Sequence, residues 1–308
     1  MSEKKRKTAE KRPVRPSAVV RIVIWSVVFC LLGGLLTAGF LGVSLFDEDD
    51  LLFLFGEIGL RRYTYEDASE YNVGNAEVED TITDLTINWA AGDVTVTVAE
   101  GDKIVVTEGY DGSDRDLRLR WRVEDGELTV QFRKSAWIGL SDTTRKDLTV
   151  AIPAAMLEAM GNVSISNATG NVTYEGDADH LDLDVMDGDL HVTGDIGELD
   201  VQSAHGDVVF RGGVRDGEIE CVDANVTMYL EMAANLSFEQ VSGDVCLYLS
   251  DEITGFSVEL ESLNDEIDVD DFENACVDGK TVKWGRAGLR ISVDGVKNKL
   301  KIAKLTND

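Results

Sequence analysis

His180, His191 and His205 are the chain's only imidazoles. A transition-metal site needs such side chains to converge, and no His-x-His or His-Glu-x-x-His spacing ties any pair of them together. A transition metal is therefore not expected. Carboxylates are far more numerous. Asp189, Asp207 and Asp244, interleaved with Asn171 and Asn225, recur at near-constant intervals, and oxygen donors stacked in that way could hold Ca²⁺, which takes six to eight of them. The denser run through Asp265, Glu266, Asp268, Asp270, Asp271 and Glu273 is the better candidate, with Asp265, Asp268, Asp270 and Asp271 as ligands. The glycine- and aspartate-bearing nonapeptides of calcium-binding β-rolls are absent, so solvated turn residues are the favoured reading of the column.

Paired carboxylates can also cleave glycosides, but such enzymes grip sugar chains with exposed aromatics. Aromatic residues make up only 7% here, and Tyr174, Phe210 and Phe238 fall on inward positions. No Gly-x-Ser-x-Gly elbow, P-loop or Cys-x-x-Cys pair occurs. The chain is read as a non-enzyme, with no catalytic residues and no cofactor. A basic stripe, Arg118, Arg120 and Arg122, stands out on an acidic protein; it is either an anion-binding surface or a set of cations matched by nearby acids, and the second is favoured.

These residues must be held by something, and the charge distribution shows what. The 308 residues carry a net charge of −29, unevenly spread. Residues 1–21 hold eight Lys or Arg against two Glu; residues 22–46 hold no charge; residues 47–308 hold 21 basic and 56 acidic side chains, a net of −35. So acidic a body is repelled by phosphate, which excludes nucleic acid as a partner. The 25 uncharged residues 22–46, with Cys30 among them, would make about 37 Å of helix, enough to cross a hydrocarbon core of roughly 30 Å. They predict one transmembrane helix rather than a cleaved leader. Positive charge before the span and Asp47, Glu48, Asp49 and Asp50 after it predict a cytoplasmic tail and an extracytoplasmic body. Residues 47–80 then form a juxtamembrane linker, including the apolar stretch 51–60, which is too short to span.

The body repeats. Gly170-Asn171-Val172, Gly188-Asp189-Leu190, Gly206-Asp207-Val208, Ala224-Asn225-Val226 and Gly243-Asp244-Val245 start 18, 18, 18 and 19 residues apart. A second apolar series, Ile165, Leu183, Val201, Ile219, Phe238 and Val258, keeps nearly the same period. Each repeat thus has two short strands of alternating polarity, too little to fold alone but able to bury a continuous core when stacked. Val172, Leu190, Val208, Val226, Val245 and Ile267 should form one inner ladder. Seven or eight coils at about 4.8 Å each would rise roughly 35 Å. Ile267/Val269, Val282/Trp284 and Leu300/Ile302 extend the same pattern, setting Asp268 beside Lys283 and Lys301. Before residue 160 the spacing breaks, and a hairpin at Glu124-Asp125-Gly126-Glu127 predicts an N-terminal β cap. Cys221 should face inward and Cys246 outward, with Cys276 unpartnered, which suits a compartment where disulfides are not routinely made.

Leu85-Thr86-Ile87 leading into Ala91-Gly92-Asp93-Val94-Thr95-Val96, then Asp102-Lys103-Ile104-Val105-Val106, Leu148-Thr149-Val150-Ala151-Ile152-Pro153, the Gly-Asp/Asn-Val turns and the closing Val296–Ile302 strand resemble the bacterial putative-adhesin family over roughly residues 63–305. The chain departs from the family's Ser/Thr-Gly-Asp turn at Met186-Asp187-Gly188, Ala204-His205-Gly206 and Asp223-Ala224-Asn225. The resemblance implies a surface-exposed β-solenoid behind a single anchor, active in adhesion or envelope stress, with no catalytic residues to carry over. The expected fold is all-β, a two-strand-per-coil β-solenoid of about 18 residues per coil with an N-terminal antiparallel cap, preceded by one transmembrane helix. The expected segments are 1–21 (cytoplasmic tail), 22–46 (helix), 47–80 (linker), 81–160 (N-terminal β section) and 161–305 (repeats). The expected role is a cell-membrane, single-pass, adhesin-like interaction module meeting protein or glycan at the cell surface; the alternative is an extracytoplasmic sensor or accessory of an envelope-stress response.

Overall fold

The computed structural model describes residues 65, 68–135, 144–261, 266–269, 271–286 and 288–305, without the side chains of 296–298. The expected tail, transmembrane helix and apolar stretch 51–60 lie outside these residues. Among the described residues no helix is long and apolar enough to cross a membrane. Alternating polarity yields strands almost throughout. They are β1 (Asn72–Val73), β2 (Ala76–Val78), β3 (Asp84–Ala91), β4 (Val94–Ala99), β5 (Ile104–Glu108), β6 (Arg120–Glu124), β7 (Glu127–Gln131) and β8 (Leu148–Pro153). After a one-turn helix α1 (Ala154–Leu157) come β9 (Asn162–Thr169), β10 (Val172–Glu175), β11 (Ala178–Asp187), β12 (Leu190–Thr193), β13 (Ile196–His205), β14 (Val208–Asp223) and β15 (Val226–Leu249). The chain ends through β16 (Gly255–Leu260), β17 (Glu266–Asp268), β18 (Cys276–Asp278), β19 (Thr281–Gly285) and β20 (Leu289–Lys304).

The strands stack in parallel, in the register the 18-residue period sets. Val172 pairs with Leu190, Leu190 with Val208 and Val208 with Val226. On the other side of each coil Ile165, Leu183, Val201, Ile219 and Phe238 follow one another. Every one of these side chains is at most 2% exposed. At roughly 1.5–3 kcal/mol for each buried aliphatic, it is the core between the two strand rows that holds one coil on the next. The stack also takes in β3 and β4, for Leu85 pairs with Val163 and Val94 with Val172. Parallel coiling thus extends ahead of residue 161.

Two glycine columns make the turns possible. Gly206 has φ +127°, and a Cβ there would stand 2.2 Å from the carbonyl oxygen of Gly188 on the coil below. The turn backbones touch, which leaves no room for a side chain. The second column, Gly176, Gly194 and Gly212, has the same 18-residue period at the opposite corner. It ends where the register shifts between Gly212 and Gly213: Gly212 pairs with Leu230, Gly213 with Met232, and Glu231 is the added residue. That bulge accounts for the 19-residue interval.

At the C-terminal end the order of coils differs from the linear expectation. Leu300 pairs with Val245 on one side and Ile267 on the other, and β20 also runs between Phe238 (beside Val293) and Val258 (beside Ile291). The last strand is inserted between two earlier coils, so Val245 and Ile267 are not direct neighbours. Val282 and Trp284 are not coil mates either: β19 lies antiparallel against β16, with Val258 opposite Val282 and Phe256 opposite Trp284. The short, degenerate repeats after residue 250 cannot distinguish a strand that follows from one that inserts. The Asp268–Lys301 pairing stands, whereas Lys283 faces Ser257 and Cys276.

The N-terminal end carries the expected antiparallel strands. The β6–β7 hairpin turns through Asp125 (φ 50°) and Gly126 (φ 84°), and β5 crosses antiparallel to β2 and β8. Beneath it lies a buried ion pair that no repeat signals. Lys146 and Glu108 side chains are 1% and 0% exposed and in direct contact. The Glu108 carboxylate accepts Leu119 N–H at 3.0 Å, Lys146 donates to the Leu117 carbonyl at 2.7 Å, and the ammonium lies 4.5 Å and 5.0 Å from the Phe132 and Trp89 ring centres.

Candidate functional site

Outward positions of β9, β11, β13, the second half of β14 and the middle of β15 form one continuous parallel face. Strict register lines like positions into rows: Ser164–Asp182–Asp200–Glu218–Ser237, Ser166–Asp184–Gln202–Glu220–Glu239, and Asn162–His180–Glu198–Asp216–Asn235. Carboxylates thus occupy eight of the fifteen positions, at a strand spacing of about 4.8 Å. Partial burial raises the Asp200 carboxyl above its ordinary pKa, with Glu198, Glu218 and Asp182 adding to the rise and His180 opposing it.

Within this face two groups could hold a cation, His180 with Glu198 and Asp200, and Glu218 with Glu220 and Glu239. His180 Nδ1 is 3.8 Å from Glu198 Oε2, and its Nε2 is 3.9 Å from Asp200 Oδ2. The sequence does not mark the first group, since its members are 18 and 20 residues apart; only the repeat register, applied to outward positions, could have found it. Among the described residues the other histidines join no such cluster. His191 pairs with Thr173 and Val209, and His205 with Asp187 and Asp223.

The turn column of acids has a structural task. Each Oδ1 accepts the backbone N–H of the next coil's turn: Asp93 that of Asn171 (2.9 Å), Asn171 that of Asp189 (2.9 Å), Asp189 that of Asp207 (2.9 Å), Asp207 that of Asn225 (3.2 Å) and Asn225 that of Asp244 (3.2 Å). An oxygen so engaged caps a turn, and asparagine serves as well as aspartate. Replacing Asp189 by Asn is therefore expected to leave thermal stability almost unchanged. Asp189→Ala, which strands the Asp207 N–H, should cost about 1 kcal/mol, read as a lowered melting temperature.

Of the calcium candidates, Asp265 and Asp270 lie outside the described residues. Asp268 sits opposite Lys301, and Asp271 Oδ2 accepts the Lys304 N–H at 3.3 Å. The basic stripe is matched by acids and backbone. Arg122 contacts Glu70 and Glu124 at 3.1 Å and lies over the Tyr71 ring, Arg120 donates to the Arg115 carbonyl at 3.0 Å, and Arg118 donates to the Gly112 carbonyl at 3.2 Å. Tyr174, Phe210 and Phe238 are buried as expected. Tyr229 and Tyr248, by contrast, stack outward at 4.9 Å, with Arg211 over Tyr229. Cys221, Cys246 and Cys276 are free thiols, buried, half-buried and exposed in turn.

Among solved structures, a putative adhesin from Bacteroides fragilis is 12% identical (TM-score 0.40), covering 75% of this chain and 97% of its own. One from Parabacteroides merdae is also 12% identical (TM-score 0.38; 76% and 97% covered). A putative cell adhesion protein from Clostridium sporogenes is 16% identical (TM-score 0.29; 76% and 100% covered). The search of curated proteins returns no match. Residues 82–287 match the family model described as Toastrack DUF4097, which takes in β3 through β19 and all the turn columns above. The chain belongs to the Toastrack DUF4097 family.

Proposed function

We propose that this protein is a non-catalytic interaction module, displayed outside the cell by a single transmembrane helix at 22–46 with residues 1–21 in the cytoplasm. The observation that carries the reading is the alignment of carboxylates into rows on one open sheet face. Like charges directly opposite each other weaken a sheet. A cationic partner laid across the rows would relieve that repulsion and be steered to the face by it. Its natural class is a basic protein surface or amine-bearing glycan at the cell exterior. To test this, outside partners would be captured by an impermeant cross-linker on intact cells bearing the full chain. The triple variant Asp182→Asn, Asp200→Asn, Glu218→Gln should lose them, whereas scrambling the order of residues 1–21 at unchanged charge should not. Undiminished capture by the triple variant would refute the acidic face as the recognition surface. Loss on scrambling the tail would instead favour a sensor that works through its cytoplasmic segment.

Orientation has its own test. Cys276 is exposed, while burial pushes the Cys221 thiol up to about 12. On intact cells a membrane-impermeant maleimide should label Cys276 promptly and leave Cys221 unmodified until the fold is opened by denaturant. If Cys276 is labelled only after the cells are permeabilised, the body lies on the cytoplasmic side.

A further inference from the structure

One group on the acidic face differs from its neighbours in chemistry. The rest of the cluster offers oxygen alone, whereas here an imidazole stands between two carboxylates. Glu198 and Asp200 are two residues apart on β13 and so share its outward side, and His180 of β11 is the register partner of Glu198. The separations of 3.8 Å and 3.9 Å are too long for hydrogen bonds, so the carboxylates flank the ring without fixing it. One donor atom from each of the three lies within 4.8 Å of the other two.

Ligands sharing a tetrahedral Zn²⁺ at about 2.0–2.2 Å stand roughly 3.3–3.6 Å apart. A single metal takes one imidazole nitrogen, and the three donor atoms, which lie within 4.8 Å of one another, would close on it by rotamer changes of up to about 1.5 Å. The side chains have room for them, being 33%, 58% and 39% exposed. The surrounding carboxylates supply an excess of negative charge that a bound cation would offset. A nitrogen donor combined with two oxygens suits the zinc class of metals, since Ca²⁺ and Mg²⁺ favour oxygen alone. We propose that His180, Glu198 and Asp200 form a surface site for a divalent transition-metal ion of the zinc class, leaving coordination positions open to water or to a partner's side chain. The neighbouring Glu218, Glu220 and Glu239, all oxygen, serve as the internal contrast. This site goes beyond the interaction-module reading and does not depend on it.

The test uses the detergent-solubilised full chain, titrated with Zn²⁺ by calorimetry and with Co²⁺ by visible absorption. Saturable Zn²⁺ binding is expected that excess Ca²⁺ does not displace. His180→Gln, Glu198→Gln and Asp200→Asn should each weaken it by about tenfold or more. His191→Gln and His205→Gln should leave it unchanged, and the Co²⁺ ligand-field bands should vanish in His180→Gln. Metal-free melting curves identify any variant that is misfolded, and the remaining two then carry the comparison. The proposal is overturned if the parent shows no saturable binding, if Ca²⁺ displaces Zn²⁺, or if the folded His180→Gln variant binds Zn²⁺ as tightly as the parent.

Discussion

Gly206→Ala is expected to destabilise the repeat domain by about 3–5 kcal/mol, although the change adds one methyl group. The Cβ would meet the Gly188 oxygen at 2.2 Å, its carbonyl carbon at 2.6 Å and Asp189 N at 3.2 Å, and the φ of +127° is itself strained for any side chain. None of those atoms is the movable end of a side chain. To make room, the coil would have to lift off its neighbour, losing the Gly188 N–H bond to the His205 carbonyl (3.0 Å) and the Leu190 N–H bond to the Asp207 carbonyl (2.8 Å). The chain contains a natural comparison. Where the column carries Ala224, the Gly206 N–H to Asp223 carbonyl bond lengthens to 3.5 Å, and Ala224 N–H reaches the Ser242 carbonyl at 3.3 Å. Chemical denaturation of the full chain measures the effect, with Gly101→Ala as control. Gly101 has nothing within 4 Å of its added Cβ and should change stability by less than about 0.5 kcal/mol. A Gly206→Ala variant as stable as this control would mean that the turns do not pack in contact.

Much of this was legible in the sequence because stacking copies a local pattern unchanged from coil to coil. The pairing of Leu190 with Val208 and Val226 follows from the 18-residue interval alone, as does the inward Cys221. What escaped reading is what does not repeat. Insertion of β20 between β15 and β16 is a choice among equally apolar strands, decided by long-range packing rather than by any single residue. Lys146 looks like any other lysine; only the closing of β5, β7 and β8 around it reveals it as buried. On the acidic face the carboxylates were visible as outward residues. Their grouping with His180, by contrast, needed the register carried across two coils and the direction of each side chain.

The same buried pair gives the second large expectation. Lys146→Met alone leaves the Glu108 carboxylate without its counter-ion, and should cost about 3–5 kcal/mol. Glu108→Gln alone strands the ammonium among Phe132, Trp89 and Tyr110 and should cost a similar amount. The double variant should recover most of that loss, because the glutamine oxygen still accepts Leu119 N–H and no charge remains to be paired. Additive losses in the double variant would mean that the two groups are not coupled. The pair also leaves a pH signature. Burial pulls the Lys146 ammonium down to about 8 from 10.5, against the opposing pull of Glu108. Above that value the unfolded chain holds this proton more firmly than the folded one, so stability rises as pH increases from about 8 toward 10.5 and is lower below 8. Cys221 and Tyr174, whose pKa values burial raises, act in the opposite sense, but only once the unfolded thiol and phenol ionise near pH 9 and 10. Between pH 8 and 9 the Lys146 contribution to the unfolding free energy should rise by about 1 kcal/mol, partly offset by Cys221 in the net and read as the difference between the parent and the double variant. That rise should be absent from the Lys146→Met, Glu108→Gln double variant; an identical pH slope in both would show that Lys146 is not the group responsible.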